Sequence, residues 1–302
     1  MEIFCLIQVR NEERFLSGFL HHIAPYVDGI VALDDGSTDS TVDILRAEPK
    51  VVSILSERRP GPPHANEVSN RHRMILEAAR LDATWVLCAD ADERFEERFL
   101  RRVHAEAEKG ESRDQPVRFV RIVNLWDSPE HYRADGRCGP RWTARMFKIP
   151  RTITRRAPLL HQPWFPPELD KARRGYMPAT LYHLKMIERG DREARHRKFT
   201  AVDPDRRHQS VGYDHLIDET GLTLKPVLPF RRFADLPASM HAPPLLPRAA
   251  ISGDRADPDF AHRFRLEAGN RAGVRTESRQ ERSQLHGFDF EAIFVDVQAR
   301  QR

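Results

Sequence analysis

Two acid pairs stand out among the residues whose types and spacing could do chemistry. "WVLCADADE" carries Asp90 and Asp92 directly behind an apolar run, and "IVALDDGSTDST" carries Asp34 and Asp35 behind another. Residues i and i+2 at a strand end face one side, with Cα atoms roughly 6–7 Å apart, so Asp90 and Asp92 suit a hard divalent cation. Two carboxylates leave Mg2+ or Mn2+ an open shell, to be filled by water and by a ligand's phosphates. An acid beside the Gly36 turn suits ribose hydroxyls or a nucleobase N–H, and the nearby Ser and Thr hydroxyls suit the start of the next helix. The plainer alternative is that both segments are capped strand–turn–helix junctions, since acids are favourable at a helix start. A calcium loop is disfavoured, because the D-x-[DN]-x-[DN]-G spacing is absent.

The elements that must position these acids follow from the hydrophobic pattern. "IFCLIQV" (3–9) has the short apolar form of a strand buried on both faces, and "GIVALDD" (29–35), "VVSILS" (51–56) and "ATWVLCA" (83–89) read as three further strands. Helices are expected between them: one capped by Asn11 with Glu12 and Glu13 in its first turn, one opening in "STDSTVDILRAE", and one over about 66–81. This alternation predicts an α/β fold, a Rossmann-like, mainly parallel central sheet with helices on both faces. Ligands of such sheets bind at the carboxyl ends of the strands, where both acid pairs lie.

Past residue 100, strands are expected at 117–126, 141–150 and 179–186, with a proline- and aromatic-rich irregular loop before the last. A charged helix over about 188–208 carries Arg195, Arg197 and Lys198, which could close over a diphosphate. Residues 226–302 are rich in Pro, Arg and small residues with little periodicity, so a low-order tail is expected there, behind a domain over 1–225. Within that domain, 1–100 forms the nucleotide half and 101–225 the acceptor half.

Composition narrows the class. The 302 residues hold 49 basic and 45 acidic side chains intermixed, which argues against a nucleic-acid partner. Three cysteines, odd in number and widely spaced, suit free thiols in a reducing compartment. No run approaches the ~18 apolar residues of a membrane span, and "MEIFCLIQV" is built as a first strand rather than a secretory signal. A cytoplasmic location is therefore expected, with peripheral contact at the inner face of the membrane left open.

In this order, "VRNEERFL", "IVALDDGSTDST" and "WVLCADADE" resemble the family 2 glycosyltransferases, which have the GT-A fold; the resemblance spans about residues 3–95. It implies an inverting, metal-dependent transferase that moves a sugar from a nucleotide-diphosphate donor to a hydroxyl of a glycan or lipid-linked acceptor, as in cell-envelope polysaccharide biosynthesis. It would set Arg10, Asn11 and Glu12 in the nucleobase wall and Asp34 or Asp35 on the nucleoside. Asp90 and Asp92 become the D-x-D pair for Mn2+ or Mg2+, and Arg71 or Arg73 faces the donor. A downstream histidine, His183 before His161, would complete the metal shell.

The general base is the open position. Related members have His-Glu in the later loop, but "LLHQPW" places Gln162 where that Glu is expected, and an amide cannot accept the proton. Asp127 is the first alternative, followed by Glu130 and Asp135. Two other readings compete: a sugar-nucleotide or glycan-binding protein that lacks the base, and a metal-dependent phosphoryl-transfer enzyme of the haloacid-dehalogenase kind. The latter's D-x-D belongs on a first strand, whereas this one ends the fourth.

Overall fold

A computed structural model describes residues 1–56, 66–157, 162–205 and 212–233. The expected strands and helices of the first hundred residues form: β1 (Ile3–Val9), α1 (Glu13–Ile23), β2 (Gly29–Asp34), α2 (Thr41–Ala47), β3 (Val51–Ser56), α3 (Glu67–Arg80) and β4 (Trp85–Cys88). After them come β5 (Glu93–Phe95), α4 (Glu97–Leu100), α5 (Val103–Ser112), β6 (Val117–Asn124), β7 (His131–Arg133), β8 (Arg141–Lys148), β9 (Arg174–His183), α6 (Arg189–Val202) and β10 (Leu224–Pro226).

Eight strands form one sheet in the order β3-β2-β1-β4-β8-β6-β9-β5. The pairs among β3, β2, β1 and β4 are parallel, as is β6 with β9. β8 runs antiparallel between β4 and β6, and β5 runs antiparallel on β9. Alternate residues of β1 enter different cores: Ile3, Cys5, Ile7 and Val9 pack with Phe15, Leu16 and Phe19 of α1, while Phe4 and Leu6 pack with Met74, Ile75 and Ala78 of α3. Both faces of the strand are covered, so its sequence shows no polar alternation. The second core is closed by Trp164, Phe165 and Leu169 of the irregular loop. All three cysteines are buried free thiols.

Three local expectations are corrected. Asn11 does not cap α1: Glu12 occupies the N-cap position, and Asn11 takes a left-handed backbone (φ +52°) in the preceding loop. β4 stops at Cys88, so Asp90 and Asp92 lie in a turn and strand alternation does not orient them. The segment "ERF" after that turn is a strand, because its backbone pairs with β9. Beyond residue 225, Val227 is buried and the Tyr182 hydroxyl donates to the Arg231 carbonyl oxygen at 2.6 Å. Residues 234–302, most of the expected tail, lie outside the described residues, as does His161. Among the described residues no helix is long and apolar enough to cross a membrane.

Candidate functional site

The site is built at the carboxyl edge of β1, β2 and β4. The turn after β4 is closed on itself: the Glu93 N–H donates to the Asp90 carbonyl at 3.0 Å, and the Asp90 N–H donates to the Glu93 carboxylate at 3.0 Å. The two acids of the pair have different surroundings. Asp90 is half exposed, with its carboxylate 3.7 Å from the Arg145 guanidinium. Asp92 is buried, and its Oδ2 lies 3.0 Å from His183 Nε2. Burial alone would push the Asp92 carboxyl up, but the facing His183 imidazole, with Lys185 and Arg195, outweighs it and holds the group well below the usual carboxylate range.

His183 is oriented by Asn124. The Asn124 amide nitrogen donates to the Cys138 carbonyl oxygen at 2.9 Å, which turns its Oδ1 toward His183 Nδ1 at 3.0 Å. An amide oxygen only accepts, so Nδ1 carries a proton and Nε2 is the ring atom that faces Asp92. A lone pair and a carboxylate face each other favourably only across a proton or a cation. Among the described residues no group of three or more Asp, Glu, His or Cys side chains is placed to hold a metal ion. Asp92 and His183 instead offer two donors, with Asp90 at the exposed lip. That donor set fits an open-shell dication.

The loops after β1 and β2 are zipped together. The Asn11 N–H donates to Ser37 Oγ at 2.9 Å, and the Thr38 N–H donates to Asn11 Oδ1 at 2.8 Å. The Glu12 N–H donates to Thr41 Oγ1 at 2.8 Å, the Glu13 N–H to Asp39 Oδ2 at 3.2 Å, and the Ser40 N–H to the Glu13 carboxylate at 3.0 Å. Thus the hydroxyls expected to cap α2 brace the neighbouring loop; no side chain of Ser40 caps that helix. Asp34 and Asp35 are both buried. Asp34 accepts the Ser37 N–H at 3.0 Å across the Gly36 turn (φ +85°), and Asp35 accepts from the Asn70 amide at 3.2 Å. Arg10 is exposed at the end of β1. Glu12 is half-buried and paired with Lys185 at 2.9 Å; burial raises its pKa against the pull of that lysine.

Arg71 binds the irregular loop. It stacks 4.4 Å over Trp164, pairs with Glu67 and donates to the Gln162 carbonyl oxygen at 2.7 Å. Arg73 is half-buried on the same helix. Arg145 is the extra residue of a β-bulge, because Arg118 pairs with Met146 and Phe119 with Ala144. The bulge re-aims its guanidinium at Glu93 and Asp90. On α6, Arg195 and Lys198 flank Phe199 with cation–π geometry.

Of the three carboxylates weighed as base, Asp127 is half exposed, in a left-handed turn (φ +57°) three residues beyond Asn124, and its Oδ1 lies 2.9 Å from the buried Arg192. Glu130 is exposed at the tip of the β6–β7 connection. Asp135 receives two donors from Arg133 and the Thr223 N–H. Despite desolvation, those donors hold its carboxyl below the ordinary range, which suits a structural role. Asn124, Arg145 and Arg94 escaped sequence reasoning. Arg94 donates to the carbonyl oxygens of Ala91 at 2.7 Å, Glu93 at 2.9 Å and Phe15 at 2.9 Å. The only signal was a polar residue inside an apolar run, as Asn124 is in "RIVNLW".

The model of the family described as "Glycosyl transferase family 2" matches residues 5–165, just over half of the chain. Uncharacterized proteins of Mycobacterium tuberculosis and Mycobacterium bovis are each 28% identical over 228 residues, covering 71% of this chain and 54% of theirs. The chain thus spans about half the length of the curated relatives it matches. Among solved structures, S. aureus TarS 1-349 in complex with UDP is 18% identical over 41% of this chain and 36% of that one, with a TM-score of 0.35. Glucosyl-3-phosphoglycerate synthase from Mycobacterium tuberculosis, in complex with Mn2+, UDP and glucosyl-3-phosphoglycerate, is 21% identical over 41% and 44%, with a TM-score of 0.30.

Proposed function

Because the chain belongs to glycosyl transferase family 2, we propose that it transfers a sugar, with inversion, from a nucleoside-diphosphate donor to a hydroxyl of a glycan or lipid-linked acceptor. The observation that carries this reading is the Asp92–His183–Asn124 chain beside Asp90, at the edge of the sheet where Asp34 and Asp35 also end. Asp92 and His183 would hold Mn2+ or Mg2+, with Asp90 at the open side. When bound, the ion supplies a Lewis acid against the negative charge that grows on the departing diphosphate.

The chain's own groups do the rest. Asp34 and Asp35 bind the nucleoside from within a turn already closed by Ser37 and Asn70, so little order is lost on binding. Arg10, Asn11 and Glu12 wall the nucleobase, and the zipped loops hold that wall against the second strand's turn. Arg71 carries the Gln162 loop over the donor. Asp127 is the carboxylate best situated to take the acceptor's proton. Its partner Arg192 holds the carboxylate in place at 2.9 Å, and its exposed face leaves room for a hydroxyl. A single displacement with that base gives inversion. Such an enzyme works where nucleotide sugars are made, in the cytoplasm, and a lipid-linked acceptor would bring it to the inner face of the membrane.

Calorimetry with UDP and the other nucleoside diphosphates tests the assignment. Binding should require Mn2+ or Mg2+ and disappear in Asp92→Asn. Undiminished metal-dependent binding in that variant would remove the metal assignment. Asp127→Asn should keep nucleotide binding and lose transfer. If wild type binds donors yet never hydrolyses or transfers them, the binding-protein reading replaces this one, as Gln162 at the expected Glu position would then explain.

A further inference from the structure

The outer face of β8, β6 and β9 carries two exposed aromatic rings at the margin of the second core, against which Phe119 packs. Trp142 is 40% and Tyr176 47% exposed, and their rings meet edge to face at 5.1 Å. Phe119, on the strand between them, lies 5.5 Å from Tyr176 and beneath the Arg174 guanidinium at 5.6 Å. Register puts these rings on one side: Phe119 pairs with Tyr176, Arg121 pairs with Trp142, and the alternate residues Val120 and Ile122 point into the core of the opposite face. Trp142 stands near the start of β8, which runs antiparallel to β4 and so begins toward the carboxyl end of that strand. Arg145, three residues on, already reaches Asp90.

We propose that this platform is a carbohydrate-binding subsite that seats the acceptor glycan, an inference that rests on the transferase reading above. A pyranose presents a patch of C–H bonds ringed by hydroxyls. Flat rings of Trp and Tyr meet that patch, and the guanidinium groups of Arg121 and Arg174 at the rim donate to the hydroxyls. Size argues against a second copy of the chain. At ~150–250 Å2 for a whole aromatic side chain, the two exposed fractions amount to about 200 Å2. A stable interface needs about 800 Å2 per partner. The patch is the footprint of a short saccharide. Its place on β8, the strand that sends Arg145 to Asp90, lets a glycan lying on the platform extend one end toward the donor's sugar.

The tryptophans supply the test. Trp85, Trp126 and Trp164 are buried, so Trp142 is the exposed one of the four. The full-length protein is titrated with cellohexaose, maltohexaose, chitohexaose and a hexagalacturonate while its fluorescence and acrylamide quenching are followed. At least one saccharide should shift the emission saturably and shield Trp142 from acrylamide. Tyr176→Ala, which keeps the reporter, should weaken that binding about tenfold, the worth of one stacking contact, while circular dichroism shows the wild-type fold. No saturable shift with any of the four, or a shift unchanged in Tyr176→Ala, overturns the subsite. Self-association that Tyr176→Ala abolishes overturns it in favour of a second copy. UDP calorimetry on the same samples separates the two ideas: lost UDP binding with intact saccharide binding strikes the donor site alone.

Discussion

Replacing Arg94 with methionine tests how the D-A-D turn is held. The guanidinium is 1% exposed, and its three acceptors are backbone carbonyls on both sides of the site: Ala91 between the paired acids, Glu93 after them, and Phe15 on α1. Burial lowers its pKa to about 10, and the charge of Asp92 opposes that shift. Methionine fills a similar volume without donors. Each buried carbonyl left without its donor costs about 1–3 kcal/mol, and the relief of burying a cation returns part of the total. The net loss is then about 3–5 kcal/mol, the range for removing one side of a buried charge interaction. For a domain of 150–250 residues, each kcal/mol lowers the melting temperature by about 2–4 °C, so a fall of roughly 6–20 °C is expected in thermal unfolding. Arg94→Lys should fall between, because an ammonium keeps the charge but not the planar fork. Metal-dependent UDP binding, measured well below the melting temperature, should weaken with the same order of severity. A methionine variant that melts within about 1 °C of wild type would refute the argument that these three bonds hold the turn.

Three further outcomes follow from the same geometry. Asn124→Ala frees His183 to rotate or change tautomer, so Mn2+ affinity read by electron paramagnetic resonance should drop about 10–100-fold with little change in fold; unchanged affinity would show that the amide does not orient the imidazole. His22 is sealed in the core with Nε2 2.9 Å from the Phe95 carbonyl oxygen, and burial, then Arg94, push its pKa down to about 3. Below its unfolded pKa near 6.5 the unfolded chain takes a proton that the native state refuses, so about 2 kcal/mol of stability is lost between pH 8 and pH 5. His22→Gln keeps a donor and should flatten that part of the slope in urea melts; an identical slope would refute the assignment. Gly110 lies within α5, where alanine ordinarily stabilises by ~1 kcal/mol. A Cβ there would sit 2.5 Å from the ring of Trp85, so Gly110→Ala should instead destabilise by about 1–3 kcal/mol in the same melts.

The parts of this molecule that were legible in the sequence are those whose partners lie close in the chain or repeat with a period. β1 to β4 and α1 to α3 are apparent because each strand is a mainly apolar run and each helix keeps its stripe. The acid pairs are apparent because they follow closely on the apolar runs of β2 and β4. What escaped depends on pairing across long separations. β5 has three residues, and its strand form comes from β9, some ninety residues away. Asn124 and Arg94 look like polar interruptions until their backbone acceptors are seen. Local propensity puts Asn11 and the Ser37–Thr41 hydroxyls on their own helices, but Asn11, Ser37, Thr38 and Thr41 find partners in the other loop.

That dependence makes β5 the weakest member of the site. Glu93 pairs with His183, and the Leu184 N–H donates to the Asp92 carbonyl oxygen at 2.8 Å. These two backbone contacts bring the Asp92 carboxylate to the imidazole. A slip of one residue between β5 and β9 would set Leu184 where His183 stands and turn the imidazole to the other face. Three residues of ladder do not specify register by themselves. The specificity comes from groups outside the ladder: Arg94 binding the turn to α1, Arg145 gripping Glu93 from the bulge, and Asn124 receiving His183 at one position only. Each is a polar side chain whose burial is unfavourable in any register but this one.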